Sequence, residues 1–303
     1  MHTAITIDAL KVLDAIDRKG SFAGAAGELF RVPSAISYTV QKLEEDLDVA
    51  IFDRSGHRAA LTPAGRYLLE EGRGLLEAAE NLAHATRQVA QGWETRLRIG
   101  INSLLPAQSL FPALKAFCEL GVPVDVQVVE EVFAGAWDAL KDHRVDLVVG
   151  ADHLSKPAGH YTTHILGEMP FEFAVAASHP LAGLSEPLTE ENIARYPAAV
   201  AADTSRSLPH GHAGIFSRQR TLTVANVEQK IALQEAGLAV GWLPRGRIQE
   251  QLESGTLVSK AVAEPRPPVV LHLARHSEAK GKALMWFWDR LSTDPAITTW
   301  LAS

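Results

Sequence analysis

Cysteine is nearly absent from the chain: Cys118 stands alone among 303 residues. An internal disulfide is excluded, and a reducing cytoplasm becomes the expected setting. Cys118 lies in the apolar run that holds Leu114 and Phe117 and is expected to be a buried packing residue rather than a reactive thiol. Long hydrophobic runs are also missing. The chain is 47% hydrophobic, yet runs such as 198–202 are short, far below the roughly 18–20 residues that span a bilayer, so no membrane partner is expected. The opening MHTAITIDAL has no basic leader followed by an apolar segment and a cleavage site, so no secretion signal is expected. A surplus of positive charge is missing as well. The net charge is −7, and the first 60 residues carry seven Lys/Arg against nine Asp/Glu. Any nucleic-acid contact must therefore come from where the bases lie, because attraction to phosphate is screened over short distances.

Catalytic signatures are absent too. No Gly-x-Ser-x-Gly elbow, Walker loop or dinucleotide glycine fingerprint occurs. His210-Gly211-His212 could pair on a metal, but no Cys/His cluster supports it. Asp203-Thr204-Ser205-Arg206 could hold a nucleophile or clamp an anion. A hydrolase and a plain solute-binding protein stay open as alternatives. No enzyme activity, metal or cofactor is expected.

What is present begins with three short helices within 8–47. Leu10, Leu13 and Ile16 form one stripe that ends at Lys19-Gly20. Ser21 offers a cap to a second helix with Ala25, Ala26 and Leu29. The third follows Arg31-Val32-Pro33 and places Ile36, Val40, Leu43 and Leu47 on one face. Ser34, Ser37, Tyr38, Gln41 and Lys42 then face outward, with no carboxylate before Glu44 and Glu45. A polar, acid-free half-helix suits base edges and phosphates; an ordinary solvated face is the alternative. The segments 51–54 and 58–61 read as short strands around Ser55-Gly56-His57. They form a wing carrying Arg54, His57 and Arg58 toward phosphate, or else a merely solvated turn.

Thr62-Pro63 starts a helix that runs to about Gly92. Leu68, Leu75, Leu82 and Val89 recur every seven residues, and Gly72, Ala79 and Thr86 share the period. That repeat predicts helix pairing and a dimer; an ordinary core helix is the alternative. Beyond Arg96, strands are predicted over 97–101, 124–129, 145–149, 171–177, 198–202, 221–224, 238–243 and 269–274. Helices are predicted over 110–120, 134–143, 228–236 and 279–291. The alternation predicts parallel sheets covered by helices, in two lobes with a ligand cleft at the strand ends.

The stretch 20–65 resembles the LysR-type family of transcriptional regulators. It carries Gly20-Ser21-Phe22, Ala25-Ala26, Ala35-Ile36-Ser37, Lys42-Leu43-Glu44, Ile51-Phe52 and Leu61-Thr62-Pro63-Ala64-Gly65. His179-Pro180-Leu181 and the segment 236–244 match weaker landmarks. The sequence 32–38, the segment 52–58 and Gly92-Trp93-Glu94-Thr95 look most like the YhaJ-type branch. Pro33, Ser34 and Tyr38 depart from the Gln, Pro and Arg common in the family, so the base preference stays open. The resemblance implies three parts: a winged helix-turn-helix over 1–62, a dimerising linker helix over 63–92, and a periplasmic-binding-protein-like (type 2) α/β sensor over 93–303. Lobe I of that sensor would cover about 95–165 and 268–303, and lobe II about 166–267. It also implies a homodimer or homotetramer on promoter DNA, with RNA polymerase as a candidate partner.

Candidate DNA contacts are Ser21, Arg31, Pro33, Ser34, Ser37, Tyr38, Gln41, Lys42, Arg54, His57 and Arg58. Candidate contacts to a small organic effector, aromatic or carboxylate-bearing, are Asn102, Ser103, Leu104, Glu131, Phe171, Asp203, Thr204 and Asn226. Most of these end strands, where polar groups can hold an oxygen; caps and turns are their alternative role. Trp137 and Trp242 could stack on a flat ligand or fill the core.

Overall fold

The structure, a computed structural model, describes residues 5–53, 59–209 and 214–302. It divides into two compact units, 1–87 and 88–303. No described helix is long and apolar enough to cross a membrane.

In the first unit, Thr6 starts α1 (Ile7–Lys19) by accepting the Ala9 N–H at 3.1 Å. The helix stops at Gly20, whose φ of 69° is the left-handed conformation that glycine adopts without a Cβ penalty. Ser21 caps α2 (Phe22–Glu28), and α3 (Pro33–Leu47) opens on its proline. Val12, Leu13, Ile16, Ala25, Ile36 and Val40 close one small core beneath the three helices. Phe52 completes it, edge-on to Phe22 at 5.2 Å.

The wing is placed by a carboxylate. Glu44, on α3, accepts the Ile51 and Phe52 N–H groups at 2.7 and 3.1 Å. β1 (Phe52–Asp53) then pairs antiparallel with β2 (Ala60–Leu61). Thr62 caps α4 (Pro63–Ala90) through the Gly65 N–H at 3.0 Å. Gly65 is required there, because a Cβ would sit 2.2 Å from the Ile51 carbonyl oxygen. Leu69 is buried in the head core and Leu68 packs against it, whereas Leu75, Leu82 and Val89 are 54%, 69% and 50% exposed. The first member of the heptad row thus belongs to the head, and the uncovered stripe starts at Leu75.

The second unit contains β3 (Arg96–Asn102), α5 (Phe111–Cys118), β4 (Asp125–Glu131), α6 (Gly135–Lys141), β5 (Leu147–Asp152) and β6 (Tyr161–Met169). It continues with β7 (Phe171–Ala176), α7 (Glu190–Ala194), β8 (Ala198–Ala201), β9 (Thr221–Val224), α8 (Val227–Glu235) and β10 (Gly241–Pro244). It ends with α9 (Gln249–Ser254), β11 (Leu257–Ser259), β12 (Val269–His276), α10 (Lys282–Ser292) and α11 (Pro295–Ala302).

The sheets correct the all-parallel expectation. The first lobe has the order β4-β3-β5-β12-β6. β4, β3 and β5 run parallel, but β12 returns from the end of the chain and pairs antiparallel with both β5 and β6. The second lobe splits into an antiparallel β10-β7-β11 sheet and a parallel β8-β9 pair. The reason is connectivity: the chain leaves this sheet after β6 and returns to it only at β12, which enters between β5 and β6 and runs against both. Cys118 also departs from expectation. It is exposed, because Ala113 and Phe117, four residues apart, take the inward face of α5 and the next residue turns away from it.

Candidate functional site

The first candidate surface is the outer face of α3. Ile36, Val40 and Leu43 are buried, which turns Pro33, Ser34, Ser37, Tyr38, Gln41 and Lys42 outward, all exposed. Several of the polar groups already have local partners. The Gln41 amide donates to Glu45 at 2.8 Å, and Lys42 lies 3.6 Å from Asp46. Arg31 donates to both oxygens of Asp8, at 2.8 and 2.6 Å; that hydrogen-bonded pairing holds the Asp8 carboxyl below its usual range and ties the guanidinium to the first turn of α1. Ser21 acts as a helix cap, its hydroxyl accepting the Gly24 N–H at 3.0 Å. Arg54, His57 and Arg58 lie outside the described residues. Phe30 was missed in the sequence. It sits just before α3 with φ of 53° and is 97% exposed. An aromatic in a left-handed turn, where Asn or Gly is usual, was the available signal.

The second candidate is a cavity of about 200 Å³ inside the sensor unit. Four expected residues meet there: Asn102 at the end of β3, Ser103 and Leu104 just after it, and Phe171 at the start of β7. Asn102 Nδ2 and Ser103 Oγ are buried without a hydrogen-bond partner among the described residues. Such orphaned groups are costly unless something fills them. Trp242 lines the cavity, whereas Trp137 is core, its indole N–H donating to the Asp152 carbonyl at 2.6 Å.

Glu131, Asp203, Thr204 and Asn226 do different work. The Thr204 hydroxyl donates to Glu131 and accepts the Val132 N–H at 3.0 Å. Asp203 accepts the Ala134 N–H at 3.4 Å, and Asn226 donates to Glu130 at 2.8 Å. These bonds tie the loop after β8 and the start of α8 to the ends of β4 and α6. Asp138 anchors the same junction from α6. It accepts the N–H groups of Arg206, Ser207 and Leu208 and the Ser207 hydroxyl, and pairs with Arg144. Burial opposes its ionisation, but Ser207, those N–H groups and Arg144 outweigh it and hold the carboxyl well below the usual range.

The three charged residues of the cavity were not anticipated: Asp152, Lys230 and Arg266. Lys230 is 7% exposed and donates to the Trp242 carbonyl at 2.8 Å. Burial, with help from the nearby Arg266 charge, pushes it down to about 7. The Arg266 guanidinium lies over the Phe171 ring, 3.6 Å from its centre, and burial lowers it to about 10. Asp152 uses one oxygen for the Leu154 and Ser155 N–H groups at 3.0 and 2.8 Å, and its other oxygen has no partner among the described residues. The sequence carried one signal: Lys230 shares the inward stripe of α8 with Val227, Ile231 and Gln234, at helical spacing.

A winged helical head, a long helix and a two-lobed α/β unit that holds a cavity have the layout of a DNA-binding regulator with a ligand-binding domain. Residues 7–66 match the model of the bacterial regulatory helix-turn-helix protein, lysR family, and residues 90–295 match the LysR substrate binding domain. The chain is 39% identical to the HTH-type transcriptional regulator YhaJ of Escherichia coli, over 93% of this chain and 94% of that protein. It is 37% identical to YeeY of the same organism, over 96% and 94% respectively. Its fold resembles the crystal structure of a probable transcriptional regulator from Pseudomonas aeruginosa, with TM-score 0.60 and 20% identity over 95% of this chain and 97% of that one. The chain belongs to the LysR family of transcriptional regulators, and these relatives carry the names of HTH-type transcriptional regulators.

Proposed function

We propose that the protein binds promoter DNA as a homodimer or homotetramer and changes its action there when a small organic effector fills the sensor cavity. The division of labour is a head over 1–62, a pairing helix over 63–92 and a sensor over 93–303. The observation that carries this reading is the cavity in which Asn102 Nδ2, Ser103 Oγ and Asp152 Oδ2 stand buried without partners among the described residues. The effector is aromatic or carboxylate-bearing and leaves unchanged. It binds the two arrangements of the lobes unequally, which is what lets a ligand shift an equilibrium. The hydrogen bonds of Glu131, Thr204, Asn226 and Asp138 across the lobe junction are the bistable element.

On DNA, Ser34, Ser37, Tyr38, Gln41 and Lys42 face the major groove. Arg31, Arg54, His57 and Arg58 approach phosphate, and Phe30 reaches a sugar or thymine methyl. The uncovered stripe of Leu75, Leu82 and Val89 pairs two chains, which places two heads on an inverted repeat. The setting is the cytoplasm, where RNA polymerase meets the bound promoter. The experiment uses the full chain: a metabolite library is screened by thermal shift, and each hit is carried into a DNA-shift assay on wild type and Ser103→Trp. The reading expects a hit that alters DNA binding of wild type only. A hit that acts equally on both proteins, or is consumed, contradicts it.

A further inference from the structure

A buried cation is costly unless something neutralises it. Elsewhere in the sensor unit that neutralisation is visible: Arg144 pairs with Glu131 and Asp138, Arg98 with Asp146, and Lys260 with Glu186. Lys230 and Arg266 are different. Both line the cavity. Lys230 has only a carbonyl, and Arg266 only the Phe171 ring, as partner among the described residues. Each raises the cost of the other, since the two like charges act on one another. The remaining charge on the lining is Asp152, whose unpartnered Oδ2 is an acceptor waiting for a donor. Two cations and one carboxylate leave the wall short of one negative charge.

We infer that the effector is a compact organic monocarboxylate that also carries a hydroxyl: Lys230 and Arg266 neutralise its carboxylate, and Asp152 Oδ2 accepts from its hydroxyl. The inference deepens the proposed function and rests on it. The size follows from the cavity, whose 200 Å³ falls below the about 300–1,000 Å³ of sites for drug-sized molecules. The carbon frame is apolar and flat enough to lie among Phe133, Phe171, Trp242, Leu154 and Val227. A second carboxylate would leave a negative charge buried in excess. An amide would leave both cations without a counter-charge.

The test measures binding of single-ring and chain probes to the full-length protein by calorimetry: 4-hydroxybenzoate, benzoate and hexanoate, each beside its amide. The expectation is that at least one carboxylate binds ten-fold or more tightly than its amide. Lys230→Met and Arg266→Gln should each erase most of that preference, while Lys230→Arg retains it. That rescue separates a counter-charge from a packing role. The 4-hydroxyl should add several-fold over benzoate, and Asp152→Asn should remove this gain. If no carboxylate exceeds its amide, or if the preference survives in Lys230→Met and Arg266→Gln together, the assignment of the charge fails. If the hydroxyl adds nothing, the role of Asp152 fails. Ser103→Trp distinguishes this inference from the reading beneath it. A neutral probe that binds wild type, alters its DNA binding and is blocked by Ser103→Trp leaves the proposed function standing and the charge inference overturned.

Discussion

In the head, Arg18 reaches Asp14 and Glu28, Arg73 reaches Asp14 and Asp17, and Arg31 reaches Asp8, all with water close by. In the sensor cavity, Lys230 is buried and Arg266 half-buried, and neither meets a carboxylate among the described residues. The head is acidic overall and its cations are held locally, so the proposed DNA surface rests on the placement of side chains on α3 and not on net charge. Exposed pairs of this kind are cheap to make and cheap to exchange for phosphate. A buried cation without a partner is neither. The first pattern is compatible with many partners, whereas the second selects one charge.

The most damaging change on the head side should be Ser37→Glu. It places a carboxylate on the acid-free face of α3, against acceptor-rich base edges, and should weaken specific duplex binding by about 100-fold or more. Carboxylate binding by the sensor should be untouched, and loss of both would mean a fold defect instead of a surface one. Next comes the stripe on α4. Leu75→Asp with Leu82→Asp should give monomers at micromolar concentration in sedimentation, because two charges would enter an apolar seam; a persistent dimer would move pairing elsewhere.

On the sensor side, Gly135→Ala should destabilise the unit by about 1–3 kcal/mol in denaturant unfolding. Its Cβ would fall on the Thr204 hydroxyl and close to Glu131, within the hydrogen-bonded junction between β4 and the loop after β8. The smallest effect should come from Arg31→Ala. It should weaken all duplexes alike by a few-fold and lower the salt slope by about 1, leaving sequence preference intact. A change in sequence preference instead would move Arg31 from phosphate to a base edge.

The head was legible because its signals are local. Caps at Ser21 and Thr62, the glycine after Lys19 and the apolar steps of α1 and α3 all lie within a few residues of what they specify. The sensor was legible in its alternation but not in its pairing. β12 joins β5 and β6 from more than 100 residues away in the chain, and no periodicity announces which way a distant strand will run. β6 itself was missed; its sequence YTTHILGEM mixes threonines, a histidine and a glycine, and its exposure does not alternate cleanly. Of the cavity, the strand-end residues Asn102 and Ser103 could be read, since ligands collect at strand ends. Lys230 left a trace as a charge on an apolar stripe. Arg266 left none, because it stands in the proline-flanked crossing before β12, where no period applies.

Protonation offers the most direct measurement. In ligand-free protein Lys230 is held near 7 by burial and by Arg266, against about 10.4 in an unfolded chain. Between those values the unfolded chain binds more protons than the folded one, so this group makes stability rise with pH from about 7 to about 10.4. Anion binding runs in the opposite direction, because the anion draws a proton back onto Lys230. Arg266 and Asp152 share the cavity, and Arg266, at about 10, stays charged at neutral pH. Calorimetry of the tightest carboxylate probe at pH 7.5, in two buffers of different ionisation enthalpy, measures this uptake. The account predicts that wild type takes up a substantial fraction of a proton per site, up to one as pH rises further, and that Lys230→Met takes up none. Uptake of zero in wild type, or equal uptake in the variant, would contradict it.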